Sequence, residues 1–332
     1  MICILLYILK IIDNMKKLSL IRNQELFQGE KYLNNNKNYF EGWYFKNTNK
    51  ENGISFIPGI NITDKGKKAF IQIVTNEKSY FIDYDIKDFE FSFNPFYIKM
   101  EKNLFSKGFI HIDITEETQN INVYGDIKYT NIQNISTNLI NPNIMGPFSY
   151  IPFMECNHAI ISMKCEVNGL MTINNENMIF NDGLGYIEKD WGYSFPKSYI
   201  WCQGNNFNKT NSSFMFSIAN DPLKLLEFTG IICVLIVNNN EYKFTTYNNT
   251  KLIKYNVNNK LLDITLKKGK YYLNIKSEYN LGNKLFAPIN GKMEKDIYES
   301  INSTITVTLK KDNNIIFSDT SENCGLEIVK NN

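Results

Sequence analysis

Hydrophobic and polar positions alternate with a period of two along much of the chain. Ile82, Tyr84 and Ile86 form one such row, and Leu262, Ile264 and Leu266 another. Ile305, Val307 and Leu309 alternate with Thr304, Thr306 and Thr308. Successive side chains of a strand point to opposite faces, so this spacing predicts half-buried β-strands. Between the rows lie KKGK at 267–270, NNNE at 238–241 and KDNN at 311–314, turn formers at hairpin spacing. No stretch carries a sustained helical period, and an all-β chain is expected.

The order of the pieces repeats. NMIFND at 177–182, followed by Gly185-Tyr186-Ile187, is echoed by NIIFSD at 314–319, followed by Gly325-Leu326-Glu327-Ile328. Upstream, Trp43, ISFIPGIN, AFIQIVTN and SYFIDY are answered by Trp201, SSFMFSIAN, GIICVLIVN and EYKFTTY. A repeated order of this kind predicts two similar antiparallel β-barrel halves, 37–187 and 188–330, behind an N-terminal extension 1–36. Antiparallel sheets that curl or close solve their edge problem and commonly hold one apolar ligand in the mouth or between sheets.

Composition supports strands over helices: aromatic residues make up 14%, and alanine occurs only at Ala69, Ala159, Ala219 and Ala287. With 332 residues, a large core forms without covalent staples. The net charge is only +2 and Arg22 is the single arginine, which argues against nucleic-acid or phosphate recognition. Six cysteines show neither CxxC spacing nor a framework pattern, so free thiols in a reducing, cytoplasmic setting are expected. Cys156, His158 and Cys165 lack a fourth ligand for a closed metal site, and neither metal nor other cofactor is expected. The opening MICILLYILKII is too short to span a bilayer and has no signal-peptide exit; Met15, followed by two lysines, is the expected start. The GxSxG, GK[ST] and HExxH motifs are absent.

Three clusters set polar groups among large apolar neighbours: Phe40-Glu41-Gly42-Trp43-Tyr44, Met154-Glu155-Cys156-Asn157-His158, and Glu188-Lys189-Asp190-Trp191, which runs on to Trp201-Cys202-Gln203-Gly204-Asn205. A carboxyl is costly to bury unless paired or protonated, which makes such places candidates for shifted pKa values and function. Each residue also has a plainer reading. Glu41 can pair with a lysine, the three tryptophans can plug a barrel core, His158 can be a satisfied core histidine, and Asp190 can be a turn former.

Taken together, FEGWYFK at 40–46, MGPFSYIPFMECNHAIISM at 145–163, EKDWGYSFPKSYIWCQGN at 188–205 and LFAPINGKM at 285–293 resemble the tocopherol cyclase family, bacterial members included. The resemblance runs in order over about 40–330 and implies a fold related to the two-domain, calycin-like barrels of carotenoid hydratases and AttH-type proteins. It implies a reaction in which a prenylated quinol closes to a chromanol: an alkene is protonated and the phenol oxygen captures the tertiary cation. It carries across Glu41 or Glu188 as acid, and His158 or Gln203 to orient the phenol. Asp190 is implied as a supporting group, because plant members carry Asn there. Trp43, Tyr44, Trp191, Trp201, Gln203 and Asn205 are implied as substrate-shaping positions. The expected partner is an apolar small molecule or prenyl lipid, with peripheral membrane contact compatible with it. A non-catalytic lipid carrier and a polyene hydratase are the alternatives.

Overall fold

The computed structural model describes residues 18–35, 37–152, 154–223, 226–258, 260–279 and 281–330. The expected start at Met15 lies outside them. Two large antiparallel sheets account for the described fold, one of them nearly closed into a barrel, as an all-β chain of two barrel-like halves requires.

The first sheet holds β1 (Tyr39–Thr48), β2 (Gly53–Thr63), β3 (Gly66–Thr75), β4 (Ser79–Asp85), β5 (Phe89–Phe93), β6 (Phe96–Met100), β7 (Asn103–Phe105), β8 (Phe109–Glu116), β9 (Ile121–Gln133), β10 (Cys156–Ile173) and β11 (Glu176–Gly192). Their spatial order is β4-β3-β2-β1-β11-β10-β9-β8-β7-β6-β5. The second holds β12 (Ser198–Gly204), β13 (Asn206–Phe207), β14 (Ser212–Leu223), β15 (Leu226–Val237), β16 (Asn240–Lys243), β17 (Lys251–Val257), β18 (Leu261–Lys268), β19 (Tyr271–Glu278), β20 (Asn283–Ile289), β21 (Lys292–Lys311) and β22 (Asn314–Val329). Its order is β16-β15-β14-β12-β22-β21-β19-β18-β17, with β13 on β22 and β20 on β21. In both sheets the tryptophan strand, β1 or β12, pairs with the last long strand, β11 or β22, which pairs in turn with the long strand before it.

The alternation of the sequence becomes the alternation of burial. Leu262, Ile264 and Leu266 on β18 and Ile305, Val307 and Leu309 on β21 are all fully buried in the second core. Burying each such side chain contributes roughly 1.5–3 kcal/mol. The turn sequences at 238–241, 267–270 and 311–314 fall between consecutive strands, and Asn238, Asn239, Gly269 and Asp312 adopt the positive φ that tight hairpins need. One row ends early. Ile86 leaves the strand because Asp85 caps a single 3₁₀ turn, its side chain accepting from the Lys87 N–H.

Alternation also gives β1 and β11 two different faces. Tyr39, Trp43, Phe45 and Ile187 belong to the core enclosed by the first sheet, whereas Tyr44 and Tyr186 belong to a core between the two sheets. The chain crosses from one sheet to the other at 193–197. Gly192 makes the crossing possible, since a Cβ there would sit 2.2 Å from the Glu155 carbonyl oxygen.

A buried ion pair ties the N-terminal segment across the first core. The Lys189 ammonium lies 2.5 Å from Glu41 Oε1 and donates to the carbonyl oxygens of Gln24 at 3.0 Å and Leu26 at 2.5 Å. It sits between the rings of Trp43 at 4.9 Å and Trp191 at 4.8 Å. Glu41 also accepts from the Gln28 N–H at 2.9 Å and from the Tyr39 hydroxyl at 2.5 Å, while the Trp43 indole N–H donates to the Glu25 carbonyl at 2.8 Å. Every polar atom of the pair thus has a partner, the condition under which buried charges are tolerable. Replacing Lys189 by Met leaves a buried, unpaired carboxylate and is expected to cost about 3–5 kcal/mol in urea unfolding. The double variant Lys189→Met/Glu41→Gln is expected to be more stable than Lys189→Met alone.

Candidate functional site

A largely apolar cavity lies between the sheets. Phe40, Gly42 and Tyr44 from β1, Cys156 and His158 from β10, and Glu188 and Asp190 from β11 form one wall. Tyr199 and Trp201 from β12, Ser217 and Ala219 from β14, and Glu327 from β22 form the facing wall. Met145, Phe148, Phe195 and Tyr247 close it from the connecting segments, and Phe286 from β20. It encloses about 1310 Å³ of space including its solvent-open mouth.

The strand registers explain this grouping. On β1 and β11, Tyr44 stands opposite Glu188 and Gly42 opposite Asp190; on β10, His158 stands opposite Asp190. Cys156, two residues before His158, shares its face, and its Sγ lies 3.9 Å from Asp190 Oδ1. The result is a row of neighbouring titratable groups. Asp190 Oδ1 is 2.9 Å from His158 Nδ1, and His158 Nε2 is 3.4 Å from Glu188 Oε2. The same Glu188 oxygen accepts from the Tyr186 hydroxyl at 2.5 Å and the Trp201 indole N–H at 3.1 Å. On the facing sheet the Tyr199 hydroxyl donates to Glu327 Oε2 at 2.5 Å, and the Tyr44 hydroxyl donates to Glu299 Oε1.

Burial sets the acid–base properties. Glu188 is pushed up to about 7 by burial, with the Asp190 charge adding to it and the His158 imidazolium opposing. Glu299 and Glu327 are pushed up to about 8, again chiefly by burial; Glu327 adds to the effect on Glu299, and Glu188 and Asp190 to that on Glu327. Burial alone would lower His158, but the Asp190 and Glu188 carboxylates outweigh it and raise it to about 9. The triad of His158, Glu188 and Asp190 brings one ligating atom from each residue to within 4.8 Å of one another.

The structure brings together His158, Glu188, Asp190, Tyr44 and Trp201 from the sequence candidates. It places Glu41, Trp43 and Trp191 on the opposite face of the same ladder. Glu41 there is the partner of Lys189, so a role as acid in this cavity does not fit its position. Gln203 and Asn205 are buried but do not line the cavity. Gln203 Oε1 accepts from Lys46 Nζ at 3.2 Å, and Asn205 Nδ2 donates to the Gly185 carbonyl at 2.9 Å, which fastens one sheet to the other. Sequence reasoning passed over Tyr186, Tyr199, Glu299 and Glu327. Glu327 had a weak signal, standing two residues after Gly325 in the stretch whose sequence echoes 177–187; Glu299 had none.

Fold and site together define a two-sheet antiparallel β protein with a carboxyl-rich wall on an apolar cavity. Residues 102–329 match the Tocopherol cyclase-like family, and the chain belongs to it. A protein described as an AttH, from Nitrosomonas europaea, has a similar structure, with 10% identity, a TM-score of 0.51, and coverage of 92% of this chain and 97% of that one. Kievitone hydratase from Nectria haematococca aligns at 12% identity and a TM-score of 0.47, covering 89% of each chain. No curated protein sequence matches the chain.

The raised proton affinities predict a direction for pH-dependent stability. Glu188, Glu299, Glu327 and His158 all hold protons more tightly folded than unfolded, so the folded state binds more protons between the ordinary carboxyl value of 4.5 and about 9. Stability is therefore full below that window and falls as pH rises through it, by about 1 kcal/mol or more in urea midpoints. The double variant Glu299→Gln/Glu327→Gln is expected to flatten the decline.

Proposed function

We propose that the protein closes a prenylated quinol, or a related prenyl or polyene lipid, to a chromanol-type ring by proton-initiated addition of a hydroxyl across an alkene. The observation that carries this reading is the Glu188 carboxyl, hydrogen-bonded by Tyr186 and Trp201 and 3.4 Å from His158 at the wall of an apolar cavity, and titrating near neutrality. Family membership supports it independently. A carboxyl poised near the working pH gives or takes a proton most effectively.

The chemistry needs four things. A proton must reach an alkene carbon, and the resulting tertiary cation must survive long enough to be captured. Tyr44, Trp201 and Tyr199 present aromatic rings to the cavity, and aromatic faces attract a passing cation. The hydroxyl must lie beside that cation, which converts a bimolecular encounter into an intramolecular one. His158, fixed by Asp190, is the group placed to hold it. Water must stay out, and the apolar lining serves that end.

A lipid carrier with the same cavity would bind the quinol and return it unchanged. Incubation of the purified protein with prenyl quinols, followed by mass spectrometry, separates the two. Ring-closed product is expected from the wild type, and Glu188→Gln is expected to lower its rate on the order of 10²–10⁴-fold while retaining quinol binding. Recovery of unchanged quinol from the wild type with every prenyl length tried would refute the enzyme reading.

A further inference from the structure

The facing sheet supplies a second carboxyl that the triad does not use. Glu327 lines the cavity from β22, on the same face as Gly325, against which the Trp201 ring rests: a Cβ at Gly325 would lie 2.7 Å from that ring. Trp201 is the Cα partner of Glu327 across the ladder, and its indole N–H reaches over to Glu188. The two carboxyls therefore meet the same ligand space from opposite sheets, with Trp201 between their strands.

Their hydrogen-bond environments differ. Glu188 Oε2 is approached by three groups, the Tyr186 hydroxyl, the Trp201 indole and the His158 ring, and by the positive charge of His158 when protonated. Several donors on one oxygen stabilise the carboxylate anion. Glu327 Oε2 receives one donor, from Tyr199, and its neighbour across the β21–β22 ladder is another acid, Glu299. Glu299 Oε2 is buried with no hydrogen-bond partner among the described residues. An acid beside an acid, with a single donor, favours the protonated form.

Resting on the cyclisation reading, we propose that Glu327 is the proton donor to the alkene and that Glu188, with His158 and Asp190 behind it, receives the hydroxyl proton. The step balances. The Glu327 O–H bond breaks and its proton joins one alkene carbon, the π pair becoming the new C–H bond. A lone pair of the substrate oxygen forms the C–O bond to the cationic carbon. The O–H proton passes to the Glu188 carboxylate, and its bonding pair stays on oxygen. The substrate leaves as its isomer, and the protein has moved one proton from the second sheet to the first. Exchange with solvent through the open mouth resets both groups.

The test is turnover of a prenyl quinol in D₂O, following both ring closure and deuterium entry. Wild type is expected to place one deuterium on carbon per ring closed. Glu327→Gln is expected to lose deuterium entry and ring closure together, on the order of 10²–10⁴-fold, with quinol binding retained. Glu188→Gln is expected to lose ring closure but still form the cation, which then sheds a proton from carbon and returns as deuterated quinol with a shifted double bond. Where Glu327→Gln does not fold, Glu327→Asp, with its shorter reach, is expected to slow deuterium entry at least about tenfold. Ring closure and deuteration at the wild-type rate in the Glu327 variant that folds overturn the assignment alone. So does a Glu188→Gln protein in which deuterium entry is lost as fully as ring closure. A wild type that turns over no prenyl quinol overturns the cyclisation reading and this one with it.

Discussion

The buried ammonium of Lys189 is the constraint around which the first sheet is organised. An uncompensated charge at that depth would cost several kcal/mol, so its surroundings must deliver oxygen acceptors at fixed positions. Glu41 comes from the paired strand β1, and the Gln24 and Leu26 carbonyls come from the N-terminal segment. Satisfying one side chain therefore fixes the β1–β11 register and holds the segment across the mouth of the first core. Trp43 and Trp191, on either side of the ammonium, exclude the water that would otherwise solvate it.

That register has a second consequence on the other side of the ladder. With Trp43 opposite Lys189, Tyr44 must stand opposite Glu188 and Gly42 opposite Asp190, one step along and one face over. A slip of one residue would exchange the two faces and bring the ion pair into the cavity. Core-facing and cavity-facing groups are thereby separated within adjacent residues. The face with complete charge pairing is closed by core packing, and the face with Glu188 and Asp190 looks onto the cavity.

The cavity wall is kept in an unfavourable state for ionisation. Glu188, Asp190, Glu299 and Glu327 gather near His158 and Lys46, both buried, and the half-buried Lys295, whose positive charges offset burial only in part. Burial raises the proton affinity of the three glutamates, which makes the fold less stable toward high pH and makes the wall able to give and take protons near neutrality. One arrangement accounts for both properties, and functional sites commonly carry such a stability cost.

Strand class and turn positions were legible along the chain, because each depends on local periodicity and on residues that accept positive φ. The EKDWG stretch was legible as a place where charged groups lie among large apolar residues. Its partition was not: Glu188 and Asp190 face the cavity while Lys189 and Trp191 face a core, and only the two packed faces of β11 decide which is which. Glu41 looked equivalent to Glu188 in its aromatic surroundings, yet parity sent it to the other side, to Lys189. Glu299 and Glu327 sit far along the sequence from the first cluster, in strands whose local pattern is ordinary. They join the site because β21 and β22 belong to the second sheet and that sheet packs face to face on the first. By itself the sequence determined which segments become strands and where the chain turns, since alternation and turn chemistry are local. Which acids meet, and which of them face the cavity, was decided by strand register and sheet packing, which join residues as distant along the chain as Glu41 and Lys189.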